Sequence, residues 1–460
     1  MTLSARAQKS KTNDVDMTTG SVFSHLLQFS LPLLAGNVFQ QFYNTVDAWV
    51  VGNYVSNEAF SAVGTISPVV NLLIGFFTGL ATGAGVVISQ YYGARKLDRV
   101  HNAVHTSVMM TLLLGVLFTA AGIAMTPAAL RMMKVPDEVF PEAKTYLTIY
   151  FAGVIGLMLY NMGSGILRAV GDSQHPFFYL VACALMNTVL DLVFVLVFHM
   201  GVAGVAYATI LAQFISAILV FGTLLRTKMC VRVTPSHLKL HWEELKRIID
   251  VGIPSAIQIA VTSFSNIFVQ SYINFFGADC MSGWAAYVKV DAILLLPNQT
   301  LQLAITTFVG QNLGTGNEKR ARKGVRVAIL MSIVSTFSLL LFAWPFAGQI
   351  VGFFNSKPAV MEYGKTFVRW IAPCYAFCCV NQVLAGTLRG AGHSRACMIT
   401  MLGSFVVFRQ IYLFVMANYI SNTFLPIAMG YPAGWFMAAL TTWLYYRKAD
   451  FSQNRVLGKA

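Results

Sequence analysis

Apolar windows of about 20 residues, each closed by a short polar interruption, follow one another along almost the whole chain, near 25–50, 59–92, 104–126, 143–166, 176–199, 202–225, 248–275, 282–311, 326–350, 361–386, 396–417 and 423–446. At a helical rise of ~1.5 Å per residue, each can cross about 30 Å of hydrocarbon. The pattern predicts an all-α integral membrane fold of about twelve spans.

The two halves share a frame. Gly165-Ile166-Leu167-Arg168-Ala169-Val170-Gly171-Asp172-Ser173 returns as Gly386-Thr387-Leu388-Arg389-Gly390-Ala391-Gly392-His393-Ser394, an offset of 221. Gln90 and Gly93 return as Gln311 and Gly314, and Lys144-Thr145 as Lys365-Thr366. Near the start of each half the offset is 222, where Leu31-Pro32 meets Ile253-Pro254. A duplicated unit of this size is typical of secondary transporters. Six spans per copy is an even number, so both copies enter and leave on one side. The pseudo-twofold axis therefore runs along the membrane normal.

Composition agrees with a membrane setting: 56% of residues are hydrophobic and 11% charged, against about 25% charged in soluble proteins. Lys and Arg set the orientation. With the N-terminus cytoplasmic, 24 fall in inner segments and 5 in outer ones, which places both termini inside by the positive-inside rule. The net charge of +14 is then mostly loop bias and does not call for a nucleic-acid partner. The first 21 residues lack an apolar core with a cleavage site and read as a cytosolic tail. The seven cysteines have no metal-ligand spacing and read as free core residues. Trp242 to Arg247 reads as a short interfacial helix in the connector between the halves, and Arg168 and Arg389 read as headgroup anchors in tight turns.

Ionisable and amide residues at membrane depth are the candidate chemistry, because each is costly to insert and usually faces a cavity or a partner. Gln40, Tyr43, Asn44 and Asp47 fall at i, i+3, i+4 and i+7, one polar stripe on the first helix. Asn187 and Asp191 are one turn apart on the fifth, and Thr209 on the sixth can reach the same interior. Such a group can share a proton or ligate Na⁺. The second repeat does not copy it: Asp47 aligns with Val269, Asn187 with Phe408 and Asp191 with Tyr412. That half carries Lys289 and Asp291 instead, which are two apart and cannot face each other on a helix, so each needs a partner on another helix. Arg369 and Arg409 read as structural or interfacial.

Pro32, the run Tyr43-Asn44-Thr45-Val46-Asp47-Ala48-Trp49-Val50-Val51-Gly52, the Leu-Arg-x-x-Gly-x-Ser turns, Asn187-x-x-x-Asp191, and Val309-Gly310-Gln311-Asn312-Leu313-Gly314 followed by Glu318-Lys319-Arg320-Ala321-Arg322 together resemble the prokaryotic branch of the multidrug and toxic compound extrusion (MATE) transporters. The likeness runs from about residue 22 to 447. It implies two six-helix bundles in a V: a tail (1–21), an N-lobe (22–226), a linker (227–247), a C-lobe (248–447) and a second tail (448–460). It further implies a monomer in a bacterial or archaeal cytoplasmic membrane that exports drug-like organic cations or amphiphiles against H⁺ or Na⁺, with no cofactor. By the resemblance Asp47, Asn187, Asp191 and Thr209 form the cation site, Asp47 and Asp191 being its Na⁺ or proton carboxylates. Gln40, Tyr43, Asn44, Lys289 and Asp291 are expected at the substrate cavity.

The seventh span holds only Asp250, at its inner end, where some NorM-type members carry a glutamate, so coupling is expected through the N-lobe. A flippase for lipid-linked sugars is the alternative, and it is disfavoured by the absence of cationic residues within the spans of the first half. A membrane enzyme would need a HExxH or nucleophile–base cluster, and the eight histidines lie in loops or at span ends.

Overall fold

The computed structural model describes residues 16–55 and 57–451, without the side chains of Asn44, Phe264 and residues 47–49, 51–53 and 57–61. In the first half run α1 (Val22–Tyr54), α2 (Asn57–Gly93), α3 (Leu97–Met132), α4 (Phe140–Ala169), α5 (Gln174–Leu192, extended by a π turn at Val193–Val197) and α6 (Gly201–Arg226). The second half has α7 (Trp242–Asn274), α8 (Ala278–Leu294), α9 (Leu296–Gly314), α10 (Glu318–Ala343), α11 (Ala347–Phe354), α12 (Pro358–Ile371) and α13 (Tyr375–Gly390). After these come α14 (Ser394–Leu402), α15 (Arg409–Val415), α16 (Phe424–Ala428) and α17 (Gly430–Lys448). Among the described residues eleven helices are long and apolar enough to cross a membrane, and α8 with α9 makes a twelfth span bent by 43°.

These elements stay helical because backbone in hydrocarbon must bond within its own helix. Pro32, Pro68, Pro127 and Pro254 are carried inside α1, α2, α3 and α7. The bend between α8 and α9, where the windows predict one span, has a local cause. Pro297 in the first turn of α9 has no N–H to bond back to α8. Phe76 stands at its place in the first repeat, and α2 is unbroken there. The outer surface is apolar, with Leu113, Val116 and Leu117 of α3 and Leu330, Val334 and Leu341 of α10 exposed as lipid requires.

Each repeat lends the start of its first helix to the other lobe. Val22, Leu26, Phe29 and Leu33 of α1 belong to the core of the second half, beside Phe308, Leu313 and Val325. Reciprocally, Ile248 and Val251 of α7 are buried with Val86, Tyr91 and Ile166 in the core of the first half. The expected interfacial helix at Trp242–Arg247 is therefore a correction: those residues are the first turns of α7, which runs on unbroken through Gly252 and Pro254. Glu244, fully buried, accepts from Tyr91 Oη at 2.6 Å and Arg99 Nη1 at 2.7 Å and so pins α7 to α2 and α3.

A pair of hydrogen bonds closes the same end. Gln90 Nε2 donates to the Gly390 carbonyl at 2.7 Å, and Gln311 Nε2 donates to the Ala169 carbonyl at 2.9 Å. Gln90 and Gln311 are counterparts at offset 221, and so are Ala169 and Gly390, so the repeats exchange the same bond across their axis. The approach is so close that a Cβ at Gly93 would strike the Gln311 carbonyl and one at Gly314 the Gln90 carbonyl.

The segment before α1 adds an asymmetric tie. The Met17 N–H donates to Gln311 Oε1 at 3.3 Å, and Arg320 donates to the carbonyls of Met17, Thr19 and Gly20. Gln90 Oε1 has no partner among the described residues. Asp16, bridged to Arg95 at 3.4 Å, is desolvated, which raises a carboxyl pKa, but the Thr18 bonds and Arg95 outweigh this and hold it below its usual range. Arg322 donates to the Ala449 carbonyl, so both described termini lie at this one end.

Gln311→Ala should therefore lower thermal stability in detergent more than Gln90→Ala, each lost bond being worth about 1 kcal/mol. Equal losses, or the reverse order, contradict the asymmetry. Gly93→Leu should cost more than either, because the atom it meets is backbone and cannot swing aside.

Candidate functional site

Asn187 and Asp191, one turn apart on α5, are buried at 3% and 1% exposure. Helix α5 packs against α1 and α6. Thr209 on α6 is half-buried and its hydroxyl donates to the Val205 carbonyl at 3.0 Å. Asn187 Nδ2 has no partner among the described residues, which leaves a donor aimed into the interior. Asn44 and Asp47 lie on α1, the neighbour of α5, and their side chains are outside the described residues. No group of three or more His, Cys, Asp or Glu among the described residues is placed to hold a metal ion. All seven cysteines are free.

On the terminal side of this group lies a cavity of about 210 Å³ in the first half. Asn37, Gln40 and Tyr43 enter it from α1, Thr78 from α2, Asn161 from α4 and Gln213 from α6. Thus half of the expected polar stripe, Gln40 and Tyr43, borders one space. Leu303 of α9 closes the wall from the second half.

One lining residue was not expected there. Arg168 occupies the last turn of α4, and its side chain borders both this cavity and a small gap against Thr306 and Thr307 of α9. The reading of Arg168 as a headgroup anchor is therefore corrected. Side chains on a helix point toward its N-terminus, so an arginine in the final turn reaches back into the protein. Its counterpart Arg389 is packed at 4% exposure, likewise away from headgroups. The statement that the first half has no cation within its spans fails with it. A signal was present in the sequence: Tyr160, Ser164 and Arg168 recur at helical spacing on the face that carries Asn161.

The second half treats its charges differently. Asp291 Oδ1 accepts from Tyr287 Oη at 2.9 Å and from Tyr375 Oη at 2.6 Å, inside the C-terminal bundle. Lys289 is exposed on the other face of α8, with its ammonium 5.3 Å from the Phe354 ring centroid. The two are not paired with each other, and each meets another helix as their spacing requires. Neither borders the cavity of the first half. Arg409, at 1% exposure, donates to Asn266 Oδ1 at 2.9 Å between the rings of Phe405 and Tyr431. Arg369 lies over the Trp344 ring, and Asp250 pairs with Arg395 at 2.7 Å.

Comparison with known proteins agrees with this architecture. A MatE family model matches residues 32–193 and 254–415, one match per repeat. The chain is 31% identical over 432 residues to the probable multidrug resistance protein YpnP of Bacillus subtilis, covering 94% of this chain and 96% of that protein. It is 26% identical to the probable multidrug resistance protein NorM of Thermotoga maritima, covering 94% of each. Among solved structures it superposes on an outward-facing MATE transporter of the MOP superfamily with a TM-score of 0.89 at 23% identity, covering 96% of this chain and 98% of that one. The exchanged first helices, the duplicated six-span unit and a family match in both halves lead to one assignment: the chain belongs to the MATE family of multidrug efflux transporters and is not an enzyme.

Proposed function

We propose that the protein exports organic cationic or amphipathic compounds by antiport with H⁺ or Na⁺, its two lobes rocking about the end at which they exchange helices. The observation that carries this is the burial of Asn187 and Asp191 one turn apart within a membrane span. A carboxylate there is costly by about 2.5 kcal/mol or more and is kept where it serves ion or proton movement. Together with Thr209 on α6, and with the Asp47 that the sequence puts on α1, these residue types offer carboxylate, amide and hydroxyl oxygens, a donor set suited to Na⁺ and equally able to hold a proton.

The basic ends of the helices support a reading in which the clasped end, with both described ends of the chain, faces the cytoplasmic side of a bacterial or archaeal inner membrane. The clasp then closes the cytoplasmic side, which corresponds to the outward-facing state. Cation uptake at Asp47 and Asp191 releases the drug outward. Cation loss to the cytoplasm, once the clasp opens, prepares the cavity for the next. One inward charge gains about 2.3 kcal/mol per 100 mV, enough for a roughly fifty-fold gradient of a substrate without net charge, whereas one-for-one exchange with a monovalent organic cation draws only on the ion's concentration gradient. A monomer contains every element of this cycle, and no cofactor enters it.

Asp47→Asn and Asp191→Asn keep shape and hydrogen bonding but remove the titratable charge. Each should abolish ion-driven dye efflux from proteoliposomes while leaving the protein monodisperse. The double variant should be little worse than either, because groups acting as one unit are non-additive. Wild-type-like efflux by either single variant contradicts the assignment. Asp291→Asn should keep ion coupling and change substrate range or yield. An inactive Asp291→Asn beside an active Asp191→Asn would move the ion site to the C-lobe.

A further inference from the structure

We propose that Arg168 makes the N-lobe cavity a receptor for the anionic group of an amphipathic substrate, a carboxylate seated at the terminal end with the apolar body above it. The inference rests on the transport cavity just proposed but not on its ion coupling.

Four observations carry it. First, the described lining of the cavity holds one arginine and no aspartate or glutamate. Second, among the described residues Arg168 forms no ion pair, whereas Arg95, Arg99, Arg322 and Arg395 each meet a carboxylate. Third, polar groups that share the cavity with it, the amides of Asn37, Gln40 and Gln213 and the hydroxyl of Tyr43, can donate to an anion, while the Tyr160 hydroxyl is turned to the Pro176 carbonyl. Fourth, the remaining wall is apolar, with Ile74, Leu157, Phe177, Leu180 and Leu303 placed to cover a hydrophobic body.

The shared framework argues against a purely structural reading. Both repeats place an arginine at this step, but Arg389 is packed in and only Arg168, half-buried, opens onto the cavity. A guanidinium left uncompensated in a partly buried space repels an organic cation at that point. It binds a carboxylate through two parallel N–H bonds, which is the geometry its planar fork favours. The cavity is therefore polarised, with its cation at the terminal end and the Asn187–Asp191 pair further along the bundle. A substrate carrying a carboxylate and a distal amine would match it better than a simple cation.

The test uses the purified full-length protein in detergent with no ion gradient, so that a failure of ion coupling cannot be mistaken for a failure of recognition. Rhodamine 110, which has a free carboxylate, and rhodamine 123, its methyl ester, differ only in the group at issue, and binding is read by fluorescence anisotropy. Wild type should bind the free acid about tenfold or more tighter than the ester. Arg168→Gln should abolish that preference and Arg168→Lys should keep part of it, because a point charge replaces the fork. If the arginine variants do not fold, wild type still decides: benzoate should displace the bound rhodamine 110 and neutral benzamide should not. Equal or tighter binding of the ester by wild type, an unchanged preference in Arg168→Gln, or displacement by benzamide as strong as by benzoate overturns the proposal.

Discussion

The rest of the structure depends on the exchange across the pseudo-twofold. Each repeat gives the first half of its leading helix to the partner lobe's core, and each gives one glutamine amide to a carbonyl at the end of the partner's fourth span. Without it, two six-helix bundles in lipid would have little reason to stay together, because lipid is as apolar as leucine and no hydrophobic effect drives their docking. What holds them is close backbone approach at Gly93 and Gly314 together with polar bonds that water cannot replace. A seal of few bonds can also be undone by a small free-energy input, as an alternating-access cycle requires.

The two lobes use polarity differently. In the second half Asp291 is held by two tyrosine hydroxyls, and Arg409 by Asn266 and two aromatic faces, with its Nε lacking a partner among the described residues. In the first half polar groups face open space: Gln40, Tyr43, Asn161 and Arg168 border the cavity, and Asn187 keeps an unpartnered donor among the described residues. This matches the sequence asymmetry, in which Asp47, Asn187 and Asp191 have no counterparts in the second repeat. The polar groups around the cavity of one lobe are those to which the proposed transport assigns its ligands.

Much of this was legible in the sequence. The offset of 221 to 222 identified the counterparts, and hydropathy located the spans. The spacing of Lys289 and Asp291 foretold separate partners. What escaped has physical reasons. A repeat offset says which residues are equivalent but not that α1 and α7 cross into the opposite lobe, since that depends on long-range packing. Loop counting assigned Arg168 to an interface because it sits at a span end, although helical side-chain direction turns it inward. The α8–α9 bend needed Pro297 to be read as a break where Pro32 and Pro254 are not.

The central claim is that this fold converts an ion gradient into export. Purified wild-type protein in proteoliposomes, loaded with an amphipathic dye and subjected in turn to an imposed ΔpH and an imposed ΔNa⁺ at fixed membrane potential, tests it most directly. The account predicts that one of the two gradients drives dye movement against its own gradient and that collapsing that ion gradient stops it. Dye movement that responds to neither gradient, or that only equilibrates, would contradict it.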